Sequence, residues 1–154
     1  MILVGAIVLA GCRTTGLLFT KGSEFRILTP KSAATVTLPL EVSWSDTGAA
    51  AHGDRFAVFL DQGPISPGEN LENLLPNTCK QNPLCKSASY LTSLNVYITS
   101  HHSLVLDGLP DGGVTGQTTG RETHSVTVVV INRAGTRVGE EFAAIDFVYD
   151  REGT

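Results

Sequence analysis

Apolar and polar residues alternate in short runs along most of the chain, which is the pattern of β-strands with one buried face. The run at residues 40–45 places Leu40, Val42 and Trp44 on one face, and Trp44, the only tryptophan, is expected at the centre of the core. Turn-bounded runs of this kind predict strands at residues 25–29, 35–37, 40–45, 55–61, 95–100, 103–107, 124–132 and 138–149. This spacing predicts an all-β fold, an antiparallel sandwich of about seven strands.

The run at residues 55–61 differs from the others because both of its faces are apolar. Alternate residues give one face three large side chains and the other face two more: Phe56, Val58 and Leu60, then Ala57 and Phe59. A strand of this composition needs cover on both sides. We therefore expect it in the centre of a sheet or beneath the segment that follows it.

Residues 62–93 break the strand pattern and predict an inserted segment. Ser66-Pro67-Gly68-Glu69 is typical of a capping box, with Ser66 as the N-cap, Pro67 at the first helical position and Glu69 reaching back. Three leucines that follow share one helical face, and a proline is expected to end the helix: Leu71, Leu74, Leu75 and Pro76.

Two segments predict turns or loops between the later strands. Residues 107–123 hold five glycines and few apolar side chains, which predicts a long mobile loop. Residues 133–136, with Gly135, predict the turn of a hairpin between the last two strands.

The first ten residues carry no charge and are mostly apolar, but a membrane-spanning helix needs about 20 such residues. A short apolar run followed by small residues is typical of a signal peptide. The run ends in Leu9-Ala10-Gly11-Cys12, which resembles the lipobox of bacterial lipoproteins. That resemblance implies cleavage before Cys12 and lipid attachment to its thiol. The alternative is an uncleaved hydrophobic N-terminus that packs on a partner or lies in a membrane.

Charge and cysteine content narrow the class of protein. The net charge is −4, and Lys and Arg are not clustered, so the sequence argues against a nucleic-acid partner. Of three cysteines, Cys79 and Cys85 remain once Cys12 is lipidated, and such a pair in an exported chain predicts a disulfide. A metal-binding pair is the weaker alternative, because no second Cys or His pair lies nearby.

The strand patterns are similar to immunoglobulin-like and fibronectin-type-III-like modules of bacterial surface proteins. The resemblance rests on four motifs: Leu40-x-Val42-x-Trp44, Leu104-x-Leu106-x-x-Leu109, His124-x-Val126-x-Val128 and Asn132-Arg133-Ala134-Gly135. The long insertion and the absence of a tyrosine from residues 126–131 depart from the family pattern. The lipobox resemblance implies a signal peptide at 1–11 and a lipid-attached tether at 12–24. The Ig-like resemblance implies a domain at 25–150 with its insertion at 62–93, followed by a tail at 151–154.

Motifs for catalysis or cofactor binding do not emerge from the sequence. It holds no Gly-rich phosphate loop, no Gly-x-Ser-x-Gly and no His-Glu-x-x-His. Five titratable side chains have the chemistry of metal ligands or bases, but their positions favour ordinary strand-end and turn residues: His101, His102, Asp107, Asp111 and His124. We therefore expect no catalytic, metal or cofactor site.

The resulting hypothesis is a non-enzymatic module, lipid-anchored on the periplasmic or cell-surface side of a bacterial membrane. It would act by protein–protein contact, as an accessory subunit of a membrane or envelope complex. The candidate contact residues lie in the insertion: Ser66, Glu69, Leu71, Leu74, Lys80 and Tyr90. Alternatively, the insertion only caps the open end of the sandwich.

Two other functions remain open at this stage. A cell-wall carbohydrate-binding module would use Tyr90 and Tyr97 as exposed aromatics. A hydrolase would need a site that the sequence motifs do not reveal.

Overall fold

A computed structural model describes residues 25–46, 48, 50, 54–82, 85, 87–115 and 120–151. The predicted signal peptide, Cys12 and the tether therefore lie outside the described residues. The described part forms eight strands: β1 Arg26–Thr29, β2 Thr35–Val36, β3 Leu40–Ser45, β4 Arg55–Leu60, β5 Val96–Thr99, β6 Ser103–Leu106, β7 Arg121–Ile131 and β8 Ala143–Asp150. Two short α-helices, α1 Asn77–Lys80 and α2 Ser87–Ser93, and two 3-10 turns, Leu71–Leu74 and Gly113–Thr115, complete it. None of the helices in these ranges has the length and apolar character to cross a membrane.

The strands form two sheets, and the all-β sandwich predicted from the sequence is confirmed. One sheet has the order β1-β3-β6, and the other has the order β2-β8-β7-β4-β5. Neighbouring strands are antiparallel except for β2, which pairs parallel with β8. Each of the eight predicted runs overlaps one strand, so the described residues hold eight strands rather than about seven.

The main core lies between the two sheets, with Trp44 at its centre as predicted. The Trp44 side chain is 2% exposed, and its ring meets Phe56 edge-on at a centroid distance of 5.3 Å. The core is built from alternate residues of the strands: Leu40, Val42, Phe56, Val58, Leu60, Leu106, Val126, Val128, Val130, Ala143 and Phe147, together with Phe25. Burial of side chains of this size contributes about 1.5–3 kcal/mol each to folding, before the entropy cost.

A second hydrophobic core lies on the outer face of the larger sheet, beneath the insertion. Strands β4, β5 and β7 and the insertion contribute its buried members: Ala57, Phe59, Ile65, Leu71, Leu75, Cys79, Leu91, Val96, Val129 and Ile131. Strand β4 is thus an interior strand, between β7 and β5, and it is covered by the insertion, which explains why both of its faces are apolar. The insertion covers a sheet face rather than an open end of the sandwich.

The predicted helix in the insertion begins later than the capping box indicated. Glu69 Oε2 accepts a hydrogen bond of 2.7 Å from the backbone N–H of Ser66, as a capping box requires. However, Gly68 has φ +80°, a left-handed conformation that a right-handed helix cannot include. A 3-10 turn starts only at Leu71, where the side chain of Asn70 accepts from the Glu72 N–H at 2.8 Å.

Candidate functional site

The structure divides the six predicted contact residues of the insertion into exposed, half-buried and buried groups. Ser66, Glu69 and Lys80 are exposed. Leu74 and Tyr90 are half-buried against the second core, and Leu71 is buried within it at 2% exposure. The Leu71 side chain holds the insertion on the sheet, so the candidates with accessible side-chain surface are the other five residues.

The predicted disulfide between Cys79 and Cys85 is present, with a Cα–Cα distance of 5.3 Å. It joins α1 to the segment that leads into α2. Around it lies a surface groove of about 270 Å³, with Glu72, Lys80 and Asn82 among its lining residues. The groove thus presents charges of both signs beside a cross-linked backbone.

Arg137 fastens the start of the insertion to the hairpin between β7 and β8. The side chain is 2% exposed; its Nη1 donates to the Ile65 carbonyl at 2.7 Å and its Nη2 to the Glu140 carbonyl at 2.9 Å. Its backbone N–H also donates to the Glu69 carbonyl at 2.8 Å. Burial lowers the pKa of the Arg137 guanidinium, and the charge of Glu140 partly offsets that effect. This residue was not singled out in the sequence.

A buried group of charged side chains lies at one end of the main core, on β7. Strand β7 begins at Arg121, three residues before the predicted start, and Glu122 and His124 face the core with no exposed surface. His124 Nδ1 lies 2.7 Å from Asp61 Oδ2, and Asp61 Oδ1 accepts from the Ser125 N–H at 2.8 Å. The other ring nitrogen, Nε2, lies 3.4 Å from Glu122 Oε2.

The same group continues from Glu122 toward the surface. Arg151 Nε lies 2.7 Å from Glu122 Oε1, and Arg151 Nη2 lies 2.5 Å from Asp111 Oδ1. Hydrogen bonds to Asp111 and then to Glu122 raise the pKa of Arg151, so its charge is constant at physiological pH. We call these five side chains, Asp61, His124, Glu122, Arg151 and Asp111, the charge chain. Asp111 lies in a turn, as interpreted from the sequence, and is also an ion-pair partner of Arg151.

The geometry of the charge chain suits a structural role better than catalysis. An ionised carboxylate only accepts hydrogen bonds, so the short contact to Asp61 requires a proton on His124 Nδ1. The His124 ring stacks on Phe147 at a centroid distance of 5.6 Å and has no exposed surface. A substrate therefore has no path to its nitrogens in this conformation.

The loop after β6 makes a close contact with the charge chain at Gly113. Gly113 has φ +49°, and a Cβ placed there would lie 2.2 Å from the Thr123 carbonyl oxygen and 3.3 Å from His124 Cε1. Only glycine allows so close an approach with this backbone conformation. Together with the Asp111–Arg151 ion pair, this contact fixes residues 111–113 against β7.

A larger groove opens on the opposite side of that loop, between edge strands β5 and β6. Its volume is about 410 Å³, and Asn95, Tyr97 and Asp107 contribute its polar groups. Tyr97 packs against the main core, whereas Tyr90 packs against the second core. The two tyrosines proposed as a sugar-binding pair therefore lie on opposite faces of the larger sheet and cannot form one platform.

Two further histidines, His101 and His102, lie at the bend before β6, as interpreted from the sequence. His101 and His102 are both exposed, and His102 Nε2 lies 3.9 Å from Asp46 Oδ2. Within the described part of the chain, no group of three or more His, Cys, Asp or Glu side chains is placed to hold a metal ion.

One sequence signal could have revealed the charge chain. The alternation Val126, Val128, Val130 extends backward through His124 and Glu122, which places two titratable groups at core positions. Their partners Asp61 and Arg151 are distant in sequence, and no local pattern connects them. No protein-family model, curated protein or solved structure matches this chain.

Proposed function

We propose that the chain is a lipid-anchored, extracytoplasmic Ig-like module that binds a protein partner through its insertion, as an accessory subunit of a membrane or envelope complex. The strand orders β1-β3-β6 and β2-β8-β7-β4-β5 support the Ig-like assignment. In immunoglobulin terms they correspond to A-B-E and A′-G-F-C-C′. The insertion then lies between strands C and C′.

The observation that carries the proposed binding role is the second core. The insertion has its own buried leucines and its own buried sheet face, so its outer surface is presented on a rigid base. The Cys79–Cys85 disulfide and the buried Arg137 hold the segment at two further points. A contact surface ordered in advance loses less conformational entropy on binding than a flexible loop does.

The chemistry of that surface suits a protein partner. The groove beside the disulfide places Glu72 and Lys80 near each other, and the exposed Ser66 and Glu69 extend the polar rim. Half-buried Tyr90 and Leu74 supply apolar contact area. Mixed charge around apolar side chains is typical of protein interfaces, whereas a nucleic-acid surface would be basic.

The lipid anchor of the proposal depends on Cys12. Two acyl chains anchor a protein stably, at about 0.8 kcal/mol per buried CH₂, whereas a single chain binds only marginally. Replacement of Cys12 by Ser is expected to abolish labelling by radioactive palmitate and to move the protein out of the membrane fraction. Retention of Cys12→Ser in membranes would favour the uncleaved hydrophobic N-terminus.

The binding role is tested by co-purification from native membranes in mild detergent, with a C-terminal tag. We expect a stoichiometric partner with the wild-type chain and its loss with Lys80→Glu. The matched control is Lys31→Glu, an equal charge reversal at an exposed lysine in the turn before β2. Equal recovery of the partner with both variants would exclude this part of the insertion as the contact surface. Absence of any stoichiometric partner would contradict the accessory-subunit role.

A further inference from the structure

The groove between β5 and β6 has the size and composition of a small-ligand site. Its volume of about 410 Å³ falls within the range of about 300–1,000 Å³ that ligand pockets occupy. It lies where the edge strand of one sheet meets the edge strand of the other. The insertion surface described above has separate lining residues, so the two surfaces can bind independently.

Three polar side chains in the groove have hydrogen-bonding capacity that the described protein does not use. The Asn95 amide, the Tyr97 hydroxyl and the Asp107 carboxylate have no hydrogen-bond partner among the described residues. Asn95 and Tyr97 are half-buried and Asp107 is exposed, and none of their polar side-chain atoms is fully buried, so water bonds them in the free protein. A ligand that offers both donors and acceptors can take over these bonds from water.

The donors and acceptors of these groups favour a neutral ligand with hydroxyl groups. The Tyr97 phenol is protonated at neutral pH and both donates and accepts, and burial raises its pKa further. Asp107 accepts only, and the Asn95 amide does both. No Lys or Arg lines the groove to hold an anion, and one carboxylate is too few oxygen ligands for a calcium site.

The apolar part of the groove complements the nonpolar face of a sugar ring. Val105, Leu109 and Pro110 line it together with Tyr97. Sugars present C–H groups on one face and hydroxyls around the rim, and they are recognised by apolar or aromatic contact combined with hydrogen bonds to carboxylates and amides. We propose that this groove binds a neutral sugar residue, with Asn95, Tyr97 and Asp107 as its hydrogen-bonding groups.

The charge chain gives this site a fixed wall. Residues 107–110 line the groove, and the next residues are held on β7 by the Asp111–Arg151 ion pair and by the close approach of Gly113 to Thr123. The wall is therefore in place before a ligand arrives, which lowers the entropy cost of binding. Arg151 acts on the groove as a positioning residue through Asp111.

The proposal is tested by NMR titration of the full chain in detergent micelles with glucose, galactose, mannose and N-acetylglucosamine and their β-linked dimers. We expect saturable shifts of the Asn95 side-chain amide and of the Gly108 backbone amide with at least one sugar, with a Kd of about 1 mM or tighter. Tyr97→Phe keeps the ring packing, and Asp107→Asn keeps the shape. Each is expected to weaken binding by about fivefold or more, because each removes a hydrogen bond to the ligand.

Two matched controls separate this site from general effects on the fold. Tyr90→Phe removes the same hydroxyl on the opposite face of the sheet, and Glu41→Gln removes an exposed carboxylate from β3. Both are expected to bind as the wild type does. The proposal is overturned if none of the sugars shifts these amides up to about 50 mM, about 50 times the expected Kd. It is equally overturned if Tyr97→Phe and Asp107→Asn bind as well as the controls.

A monosaccharide that saturates the site alone would indicate a free or terminal sugar, whereas a dimer that binds at least about fivefold more tightly would indicate a glycan chain. Both results support the proposal.

Discussion

His124 Nδ1 lies 2.7 Å from Asp61 Oδ2, although 63 positions separate the two residues in the chain. Asp61 follows β4 directly and has φ +58°, a left-handed conformation that Asp and Asn adopt more readily than most residues. This turn of the backbone places the carboxylate beneath β7, where it bonds both the His124 ring and the Ser125 amide. The carboxylate that follows β4 thereby fixes the ring of His124, the fourth residue of the neighbouring strand β7.

Replacement of Asp61 by Asn is expected to destabilise the fold by about 3 kcal/mol. Asn tolerates the left-handed conformation, so the backbone stays as it is. The loss comes from the amide group, which can accept only at one of the two positions where Asp61 bonds His124 Nδ1 and the Ser125 N–H. Urea unfolding measures the change in the free energy of unfolding. Glu41→Gln, the same chemical change at an exposed position, is expected to stay within about 0.5 kcal/mol of the wild type. Equal unfolding midpoints for both variants would contradict this account of the charge chain.

Gly113→Ala is expected to cost about 2–4 kcal/mol, because the added methyl group meets the Thr123 carbonyl in a left-handed backbone. Gly63→Ala is the control: Gly63 does not have a positive φ, and a Cβ there meets nothing within 4 Å. That variant should change the free energy of unfolding by no more than about 0.5 kcal/mol. If the two alanine variants unfold at the same urea concentration, the loop does not lie on β7 as described.

The positions of the strands could be predicted from sequence because alternation directly records which side chains are buried. The prediction failed at the start of β7, where Glu122 and His124 are polar residues at core positions. Because apolar alternation stops before His124, a prediction based on it places residues 121–123 in the preceding loop. The polar pair is stable only because Asp61 and Arg151 neutralise and bond it, and those contacts are long-range.

Two other errors have the same physical origin. The last strand begins at Ala143 rather than at residue 138, since the Arg137 guanidinium takes the carbonyl of Glu140 that a longer strand would use. The helix of the insertion starts at Leu71, since the Asn70 side chain bonds the Ala134 carbonyl of the distant hairpin and caps the turn there. In both cases a side-chain hydrogen bond to a backbone carbonyl, local in the first case and across the fold in the second, overrides the pattern of the sequence.

Arg137→Met is expected to loosen the insertion while the main core stays intact. Methionine fills much of the volume but leaves the Ile65 and Glu140 carbonyls without their donors, at a cost of about 1–3 kcal/mol. Hydrogen exchange should show faster exchange at the amides of residues 65–75 and unchanged exchange at Val42 and Val58, whose side chains lie in the main core. Uniform acceleration across both regions would indicate that Arg137 supports the whole sandwich and not the insertion alone.

Replacement of Cys79 and Cys85 by Ser is expected to lower the free energy of unfolding by about 2–2.5 kcal/mol, because the short loop gains entropy in the unfolded chain. Dithiothreitol should produce the same change in the wild type and none in the double variant. The variant should remain folded, since the leucines of the second core do not depend on the cross-link. Complete unfolding of the double variant at about 25 °C would show that the disulfide, rather than packing, holds the insertion on the sheet.

Tyr97 should make the folded protein sensitive to alkaline pH. Burial raises its pKa above 10.0, so above about pH 10 the folded chain keeps a proton that the unfolded chain releases. The folded state then binds more protons than the unfolded state, and the free energy of unfolding falls as pH rises through that range. Below about pH 10 the phenol is protonated in both states and contributes no pH dependence.

Urea unfolding of the wild type and Tyr97→Phe between about pH 8 and pH 11 measures this effect. The difference in unfolding free energy between the two proteins should be constant up to about pH 10 and should then shift in favour of the phenylalanine variant. Tyr90→Phe is the matched control, because it keeps Tyr97. The contribution of Tyr97 to the pH dependence of the unfolding free energy is therefore unchanged in this variant. Parallel pH profiles for the wild type and Tyr97→Phe would mean that the Tyr97 hydroxyl is as well hydrated as in the unfolded chain. In that case burial does not raise the pKa of Tyr97, and the hydroxyl lies at an open surface. The partly enclosed hydroxyl of the proposed sugar site would then be absent.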